Sequence, residues 1–289
     1  MKLIRFKPLP RVHKVFIFLI GMLFLYGGSA VSADAQPQGQ VVSLSGDRGG
    51  DLFIAYPQAL YRFDTQTGKR ESIPLPGSVE RVAALVTGGA GTLYLAAPGT
   101  GVLRSVDGGR NWDVRNEGLS SSQVTGLIRH VAQPDTLYAV VPEEGIHRSE
   151  DGGGEWLLMH AGPGEMTDHL IHSDMPGSMQ TGWIFAATRT GVSRSMDCFC
   201  LWREAGSLPG EVTALTYDPS QPSHIYAATG EGLFLSQDGG QSWSELPAPG
   251  AELTALHLTA SGALYAGTRD GTLFRAAPQT ENWERIDVF

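Results

Sequence analysis

The sequence has few cysteines, no long apolar run and little helical patterning. It holds two cysteines, and its longest apolar run, residues 15–26, has about 12 residues where a membrane-spanning helix needs roughly 20. Beyond that run we find no long stretch with helical apolar periodicity, so an all-α fold is disfavoured. Glycine and proline are frequent, at 37 and 17 residues, which is typical of many short strands joined by tight turns.

The first 35 residues have the layout of a secretory signal peptide. Basic residues precede the apolar run, and small residues follow it, with cleavage sites after Ala33 and after Ala35. We therefore expect an exported protein that is periplasmic, extracellular or associated with the outer face of a membrane, with a short linker at 36–40. The alternative is an uncleaved membrane anchor. The basic residues of this segment are Lys2, Arg5, Lys7, Arg11 and Lys14.

Removal of this segment makes the chain strongly acidic. It takes away five of the 21 Lys and Arg and none of the 30 Asp and Glu, which leaves a net charge near −14. A field of that sign repels phosphate backbones and anionic lipid. Nucleic acid is therefore disfavoured as a partner, and a membrane is expected only through an uncleaved N-terminal segment. A basic protein or a neutral glycan fits better.

Both cysteines, Cys198 and Cys200, lie in the segment SMDCFCLW (195–202). Three states stay open for them. A disulfide across one intervening residue is strained but can form in an oxidising compartment. The other two states are free thiols and a metal site, for which a single C-x-C pair supplies too few ligands. We predict no metal and no cofactor.

Six strand-like segments recur through the chain at intervals of 39 to 47 residues, each with Phe or Tyr in its second position. Such a period is typical of propeller blades or a solenoid. Each repeat divides into four strands, which in the fifth are 212–217, 224–229, 232–236 and 242–246. The sequence predicts an all-β fold: a six-bladed β-propeller of four-stranded antiparallel blades over 41–289, closed by packing of the sixth blade on the first.

The turn between the third and fourth strands carries the sharpest motif, Ser-x-Asp-x-x-x-x-Trp, which occurs four times. Asp accepts hydrogen bonds from nearby backbone N–H groups, Gly takes the positive-φ positions, and Trp can wedge between neighbouring sheets. The first and sixth repeats are degenerate, around Asp64 and Trp283. The motif residues are Ser105, Asp107, Trp112, Ser149, Asp151, Trp156, Ser195, Asp197, Trp202, Ser236, Asp238 and Trp243.

These turns resemble the Asp box of bacterial neuraminidase repeats, and the resemblance covers residues 41–289. It implies a β-propeller of the sialidase-like superfamily with Asp-box turns on its outer rim, where the Asp fixes the turn and is not catalytic. In type, the chain is most similar to photosystem II stability and assembly factor propellers, which have no catalytic site. Because sialidases, xyloglucan hydrolases and sortilin-type receptors share these repeats, the fold leaves the function open.

No catalytic residue can be assigned from the sequence. Sialidase chemistry would need three arginines around a carboxylate, and Arg81, Arg189 and Arg269 lie near loops between strands. The Arg-Ile-Pro type motif expected of that family near the N-terminus does not occur. A two-carboxylate glycoside hydrolase cannot be assigned by spacing alone.

Asp168 stands where the other innermost strands carry a small residue. It marks either a solvated channel mouth, with a bulge turning it outward, or a polar or metal-binding spot in the channel. On a regular strand His172 and Asp174 would share its face, and His169 would lie on the other. The small residues at this position are Ser43, Ala84, Gly126, Ala214 and Ala255.

The loops between the second and third strands vary while the strands repeat, so recognition is expected there. We predict a non-catalytic scaffold or assembly-factor-like protein that binds a protein or glycan through the face bearing these loops. The alternatives are a secreted sialidase-like glycoside hydrolase and a membrane-anchored subunit of an envelope complex. The charged residues of these loops would ring one mouth; the alternative is that they are ordinary solubilising charge. These residues are Glu143, Glu144, Arg189, Glu231, Arg269 and Asp270.

Overall fold

The computed structural model describes residues 37, 39–47, 49–164, 166–179, 182–199, 201–277 and 282–288. The predicted signal segment, residues 1–35, and Cys200 lie outside them. All regular structure in the described ranges is β-strand. In this part of the chain there is accordingly no helix with the length and apolarity that a membrane crossing requires.

The strands form six antiparallel sheets, each made of four consecutive strands. The prediction of a six-bladed propeller with four-stranded antiparallel blades is confirmed. The first three sheets contain β1 (Ser43–Gly46), β2 (Asp51–Tyr56), β3 (Ala59–Asp64) and β4 (Arg70–Ile73); β5 (Ala84–Thr87), β6 (Leu93–Ala97), β7 (Gly101–Ser105) and β8 (Asp113–Val114); β9 (Gly126–Arg129), β10 (Leu137–Val141), β11 (Gly145–Ser149) and β12 (Leu157–His160). The other three contain β13 (Met166–Ser173), β14 (Trp183–Thr188), β15 (Gly191–Met196) and β16 (Arg203–Glu204); β17 (Val212–Asp218), β18 (Gln221–Thr229), β19 (Gly232–Ser236) and β20 (Ser244–Leu246); β21 (Leu253–Leu258), β22 (Leu264–Thr268), β23 (Leu273–Ala276) and β24 (Trp283–Ile286).

The second strand of each sheet is buried on both faces, because a neighbouring sheet packs against each side. In β6 and β10, for example, all five residues are buried. Apolar side chains from adjacent sheets form one core at each seam of the ring. The innermost strands β1, β5, β9, β13, β17 and β21 contact one another in that order and surround a central channel.

The seam between the sixth and first sheets closes the ring. The backbone N–H of Val41 donates to the Thr268 carbonyl at 3.0 Å, and the Thr254 hydroxyl donates to the Val41 carbonyl at 2.7 Å. The Tyr56 hydroxyl donates to the Gly271 carbonyl at 3.0 Å. Since each sheet is built of consecutive strands, the ring closes by face packing and these bonds, without a strand exchanged between its ends.

The strand register places two kinds of connection on opposite faces of the ring. In the fifth sheet the start of β17 pairs with the end of β18, because Val212 lies opposite Thr229, whereas Ser236 lies opposite Ile225 at the other end. We call the first side the loop face and the second side, with its Ser-x-Asp turns, the turn face. The loop face carries the connections at 57–58, 98–100, 142–144, 189–190, 230–231 and 269–272.

Three of the Ser-x-Asp turns share one hydrogen-bonding pattern. The Ser236 hydroxyl accepts from the Gly240 N–H at 2.7 Å and donates to Asp238 at 2.8 Å, and that carboxylate accepts from two further backbone N–H groups at 2.9 Å. The turns at Asp107 and Asp151 repeat it. Hydrogen bonds, first among them the backbone N–H of Asn111, lower the pKa of the Asp107 carboxyl to about 2.

The tryptophans of the third, fifth and sixth repeats link neighbouring blades. The indole N–H groups of Trp156 and Trp243 donate to the carbonyls of Arg115 and Ala205 at 2.8 Å. Trp283, in the degenerate sixth repeat, makes the same contact with Pro247 at 2.9 Å. Each accepting carbonyl belongs to the end of the preceding blade, so the indole joins two sheets.

The fourth repeat departs from this pattern. Within the described chain, the Ser195 hydroxyl and the Trp202 indole N–H are buried without a hydrogen-bond partner. Phe199 occupies the place of the second glycine with a φ of 55°, which non-glycine residues rarely adopt. Cys198 is disulfide-bonded, while Cys200 is outside the described ranges.

The two kinds of turn predict different responses to loss of the serine hydroxyl. We expect Ser236→Ala to lower the free energy of unfolding by about 1–3 kcal/mol, because the buried Gly240 N–H loses its acceptor. Ser195→Ala is the matched control and should leave the free energy of unfolding nearly unchanged, since that hydroxyl makes no hydrogen bond with any described residue. Urea unfolding of both variants checks this, and equal losses would contradict the difference between the turns.

Candidate functional site

A cavity of about 540 Å³ lies in the central channel and is lined by all six innermost strands. Toward the turn face its lining includes Arg129, Tyr217 and His257. At mid-height the lining side chains are small, among them Ala84 and Ala214. The volume is within the range of about 300–1,000 Å³ that is typical of ligand sites.

The mouth of this cavity on the loop face is built from all six blades. Exposed Arg81, Asp168, Glu211 and Arg269 line it, from the second, fourth, fifth and sixth blades. The first and third blades contribute Gln40 and Thr125. We call these six residues the loop-face mouth. The mouth therefore offers cationic, anionic and neutral polar groups around one opening.

Asp168 reaches the mouth because β13 is irregular. The register of β13 against β14 shifts between Met166 and Leu170, and Asp168 is exposed inside this bulge. Its carboxylate accepts a hydrogen bond of 2.5 Å from the Thr125 hydroxyl of the third blade. His169 also lines the cavity, and burial lowers its pKa against the opposing effect of Asp168 and Glu211.

The other predicted loop residues are exposed but lie outside the cavity lining. The Asp270 carboxylate instead accepts hydrogen bonds from Thr268 and Thr272 within its own turn. Arg81 and Arg269 both line the cavity, whereas Arg189 does not, so the three candidate arginines do not all line it. The guanidinium of Arg269 is held by Glu252 through two hydrogen bonds of 2.5 Å. The predicted loop residues that lie outside the cavity lining are Glu143, Glu144, Arg189, Glu231 and Asp270.

A second cluster, at the seam between the third and fourth blades, was not predicted. His130, His172 and Asp197 are each at most 2% exposed, and one ligand-type atom of each lies within 4.8 Å of the others. The imidazole rings of His130 and His172 are 3.9 Å apart between centroids, and His130 Nε2 lies 3.7 Å from Asp197 Oδ2. The divergent turn of the fourth repeat was the one signal in the sequence. Asp197 thus faces another blade, an arrangement that its interpretation as a turn-fixing residue did not anticipate.

Two imidazoles and a carboxylate are residue types that bind zinc, so the cluster must be tested as a metal site. His130 Nδ1 accepts the backbone N–H groups of Ala132 and Gln133, each at 3.1 Å. His172 Nδ1 accepts that of Val131 at 3.3 Å. A neutral imidazole whose Nδ1 is an acceptor carries its proton on Nε2, whereas a metal-bound histidine donates its other ring N–H to an acceptor. With both Nδ1 atoms accepting from the backbone, each ring carries its proton on the Nε2 atom that a metal would need, so the cluster does not fit a metal ion.

A scan against protein-family models finds no match for this chain, and a search of curated proteins finds none either. Solved structures do share its fold. A GH74 xyloglucanase from Xanthomonas campestris is 16% identical to this chain, with a TM-score of 0.59. The matched region covers 85% of this chain and 46% of the enzyme. The chain spans less than half the length of this enzyme, and 32% of an ancestral GH74 enzyme.

Two other kinds of protein are similar in structure. YCF48 bound to D1 peptide has a TM-score of 0.56 at 17% identity, over 83% of this chain and 78% of its own. The extracellular domain of a hybrid two-component system from B. thetaiotaomicron has a TM-score of 0.56 at 13% identity, over 82% of this chain and 40% of its own. The chain is thus a six-bladed β-propeller, and its solved neighbours include GH74 enzymes, YCF48 and extracellular domains of two-component systems.

Proposed function

We propose that this chain is an exported, non-catalytic scaffold that binds a protein segment or a glycan at the loop-face mouth. The observation that carries the proposal is the convergence of polar residues from all six blades on one cavity. A ligand there would contact the whole ring at once, whereas the Ser-x-Asp turns lie on the opposite face.

The chemistry of the mouth supports a ligand with many hydrogen-bonding groups. The Arg81 guanidinium can donate to carbonyl or carboxylate oxygens, and the carboxylates of Asp168 and Glu211 can accept from amide N–H groups or sugar hydroxyls. The small side chains deeper in the channel leave room for an extended chain. The acidic charge of the protein favours a partner that is neutral or basic.

The comparisons support binding without chemistry more than hydrolysis. This chain spans 78% and 82% of the two YCF48 chains it resembles, and one of them was solved with a bound D1 peptide. It spans less than half of the GH74 enzymes. Similarity to extracellular domains supports export, which we also infer from the layout of residues 1–35.

The proposal is tested by screening the purified protein on a peptide array and a glycan array, with a fluorogenic sialoside and xyloglucan as substrates. We expect a ligand whose affinity falls about tenfold in Arg81→Ala and Glu211→Gln, a loss of roughly 1.4 kcal/mol of binding free energy. Glu245→Gln is the matched control, because it removes the same charge from an exposed residue of β20 in the same blade as Glu211.

Two outcomes would overturn this proposal. Turnover of either substrate that disappears in Arg81→Ala or Arg269→Ala would make the protein a glycoside hydrolase. Binding that is unchanged in both mouth variants would move the site to another surface. The N-terminal residue of the purified protein tests export: Asp34 or Gln36 supports a cleaved signal, and Met1 supports the anchor.

A further inference from the structure

His130 joins two turns of different blades. In the first and fifth blades a carboxylate holds the turn after the innermost strand: Asp47 accepts the N–H of Gly49, and Asp218 accepts that of Ser220. His130 stands at the corresponding place in the third blade, where its Nδ1 accepts two backbone N–H groups. Its Nε2 therefore points away from this turn and lies 3.7 Å from Asp197 in the fourth blade.

His172 lies at the end of β13 and packs into the same seam. Its ring packs against that of His130 at a tilt of 33°, and it stacks 6.0 Å from the Tyr138 ring at an interplanar angle of 10°. Its Nδ1 accepts from Val131, but its Nε2 is buried without a hydrogen-bond partner in the described chain. A buried donor without a partner is unfavourable, and a charge on that ring would be more so.

The charged groups that face His172 would do little to stabilise a positive charge on its ring. Asp197 is the carboxylate of the cluster, and it already lies beside His130. The guanidiniums of Arg129 and Arg148 both disfavour a positive charge on His172, as does His130 itself. The nearby Glu150 carboxylate, which also acts on Tyr138, forms an ion pair with Arg148.

We propose that His130, His172 and Asp197 form an acid-sensitive latch between the third and fourth blades, closed by neutral imidazoles and opened when His172 takes up a proton. The neutral His172 ring packs against His130 and stacks on Tyr138, and His130 bridges to Asp197. A protonated His172 has no carboxylate of its own in the described seam, because Asp197 lies beside His130, so the protonated state is favoured only where the seam is open to water. Because β13 also carries Asp168 to the loop-face mouth, opening the latch would free one wall of the cavity.

The direction of the pH dependence follows from burial. Burial lowers the pKa of His172 to about 3 and lowers the pKa of His130 as well, against the opposing effect of Asp197. An exposed imidazole has a pKa of about 6.5, so between about pH 6.5 and pH 3 the open state binds a proton that the closed state rejects. Above about pH 6.5 the balance between the closed and open states is therefore independent of pH, and below it opening is favoured by up to about tenfold per pH unit.

Hydrogen exchange of the full chain, measured by mass spectrometry from pH 7.5 to pH 4.5 and corrected for intrinsic rates, tests the latch. We expect opening of 126–141 and 166–175 to increase on acidification relative to 52–56 and 93–97 at the seam between the first and second blades. His172→Asn keeps an acceptor for the Val131 N–H but removes the proton site, so it should reduce this acid-dependent slope. His224→Asn, in partly buried β18, is the matched control and should keep the slope of the unchanged protein.

Asp197→Asn provides a second variant, because it removes the carboxylate that offsets charge in the cluster. It should shift opening of the same segments to higher pH. An acid slope in His172→Asn equal to that of the unchanged protein would overturn the latch. So would a rise in melting temperature on adding one equivalent of Zn²⁺ at pH 7.5 that is lost in His172→Asn, since it would make the cluster a metal site.

Discussion

Replacement of Trp156 by alanine is expected to lower the free energy of unfolding by about 3–5 kcal/mol. The Trp156 side chain is 1% exposed and packs with Tyr94, Val124 and Leu137 in the core between the second and third blades. Its indole N–H also donates to Arg115 of the preceding blade. The variant loses both the apolar contacts and a bond across the seam, and it leaves a cavity that the rigid sheets cannot fill.

Trp112→Ala is the matched control for this prediction. Trp112 follows the same motif one repeat earlier, and its indole N–H donates to the Gly109 and Pro74 carbonyls, but its side chain is partly exposed. It should therefore lose clearly less stability than Trp156→Ala in urea unfolding. Equal losses would mean that the shared hydrogen bond, and not burial, determines the contribution of these tryptophans.

The fold could be predicted because one physical constraint acts six times. A four-stranded sheet that is apolar on both faces must be covered on both, which is why segments such as β6 and β10 read as continuous apolar runs. The four strands predicted for the fifth repeat match β17 to β20 to within a few residues at each end. Ring closure could also be predicted, because six complete repeats left no strand to be shared.

The buried cluster could not be predicted, because its residues come from different repeats. His130 and His172 belong to adjacent blades, and neither matches a repeated motif. Asp197 did match Ser-x-Asp, but the two glycines that follow in the other turns are replaced by Cys198 and Phe199. The motif describes the backbone of its own turn, whereas the orientation of the Asp197 carboxylate depends on what the neighbouring blade presents.

The mouth was predictable in part. Repeats place their loops on one face, so charged loop residues were expected to ring an opening. Which of them line the cavity depends on details that an alignment of repeats does not contain. Asp168 does so through the irregular register of β13, and Glu211, which was not among the predicted residues, does so from the segment just before β17.

Replacement of Tyr56 by alanine should weaken the closing seam of the ring, with a loss of about 3–5 kcal/mol in the free energy of unfolding. Tyr56 is fully buried in the core between the sixth and first blades. Its hydroxyl donates to Gly271, whose position in the sequence is 215 residues away. Tyr56→Phe keeps the ring and removes the hydroxyl that donates to Gly271, so it should lose only about 0.5–1.5 kcal/mol.

The place where the ring first opens in Tyr56→Ala can also be predicted. Every other pair of neighbouring blades is joined by the chain itself, whereas the sixth and first blades are held together by face packing and by bonds such as those of Val41. A weakened closing seam can therefore open from the ends of the propeller while the inner seams stay packed. Hydrogen exchange of Tyr56→Ala should rise first in β1, β2, β21 and β22, whereas that of Trp156→Ala should rise at the seam between the second and third blades. If exchange in Tyr56→Ala rises uniformly around the ring, the closing seam is no weaker than the others and the propeller opens as one unit.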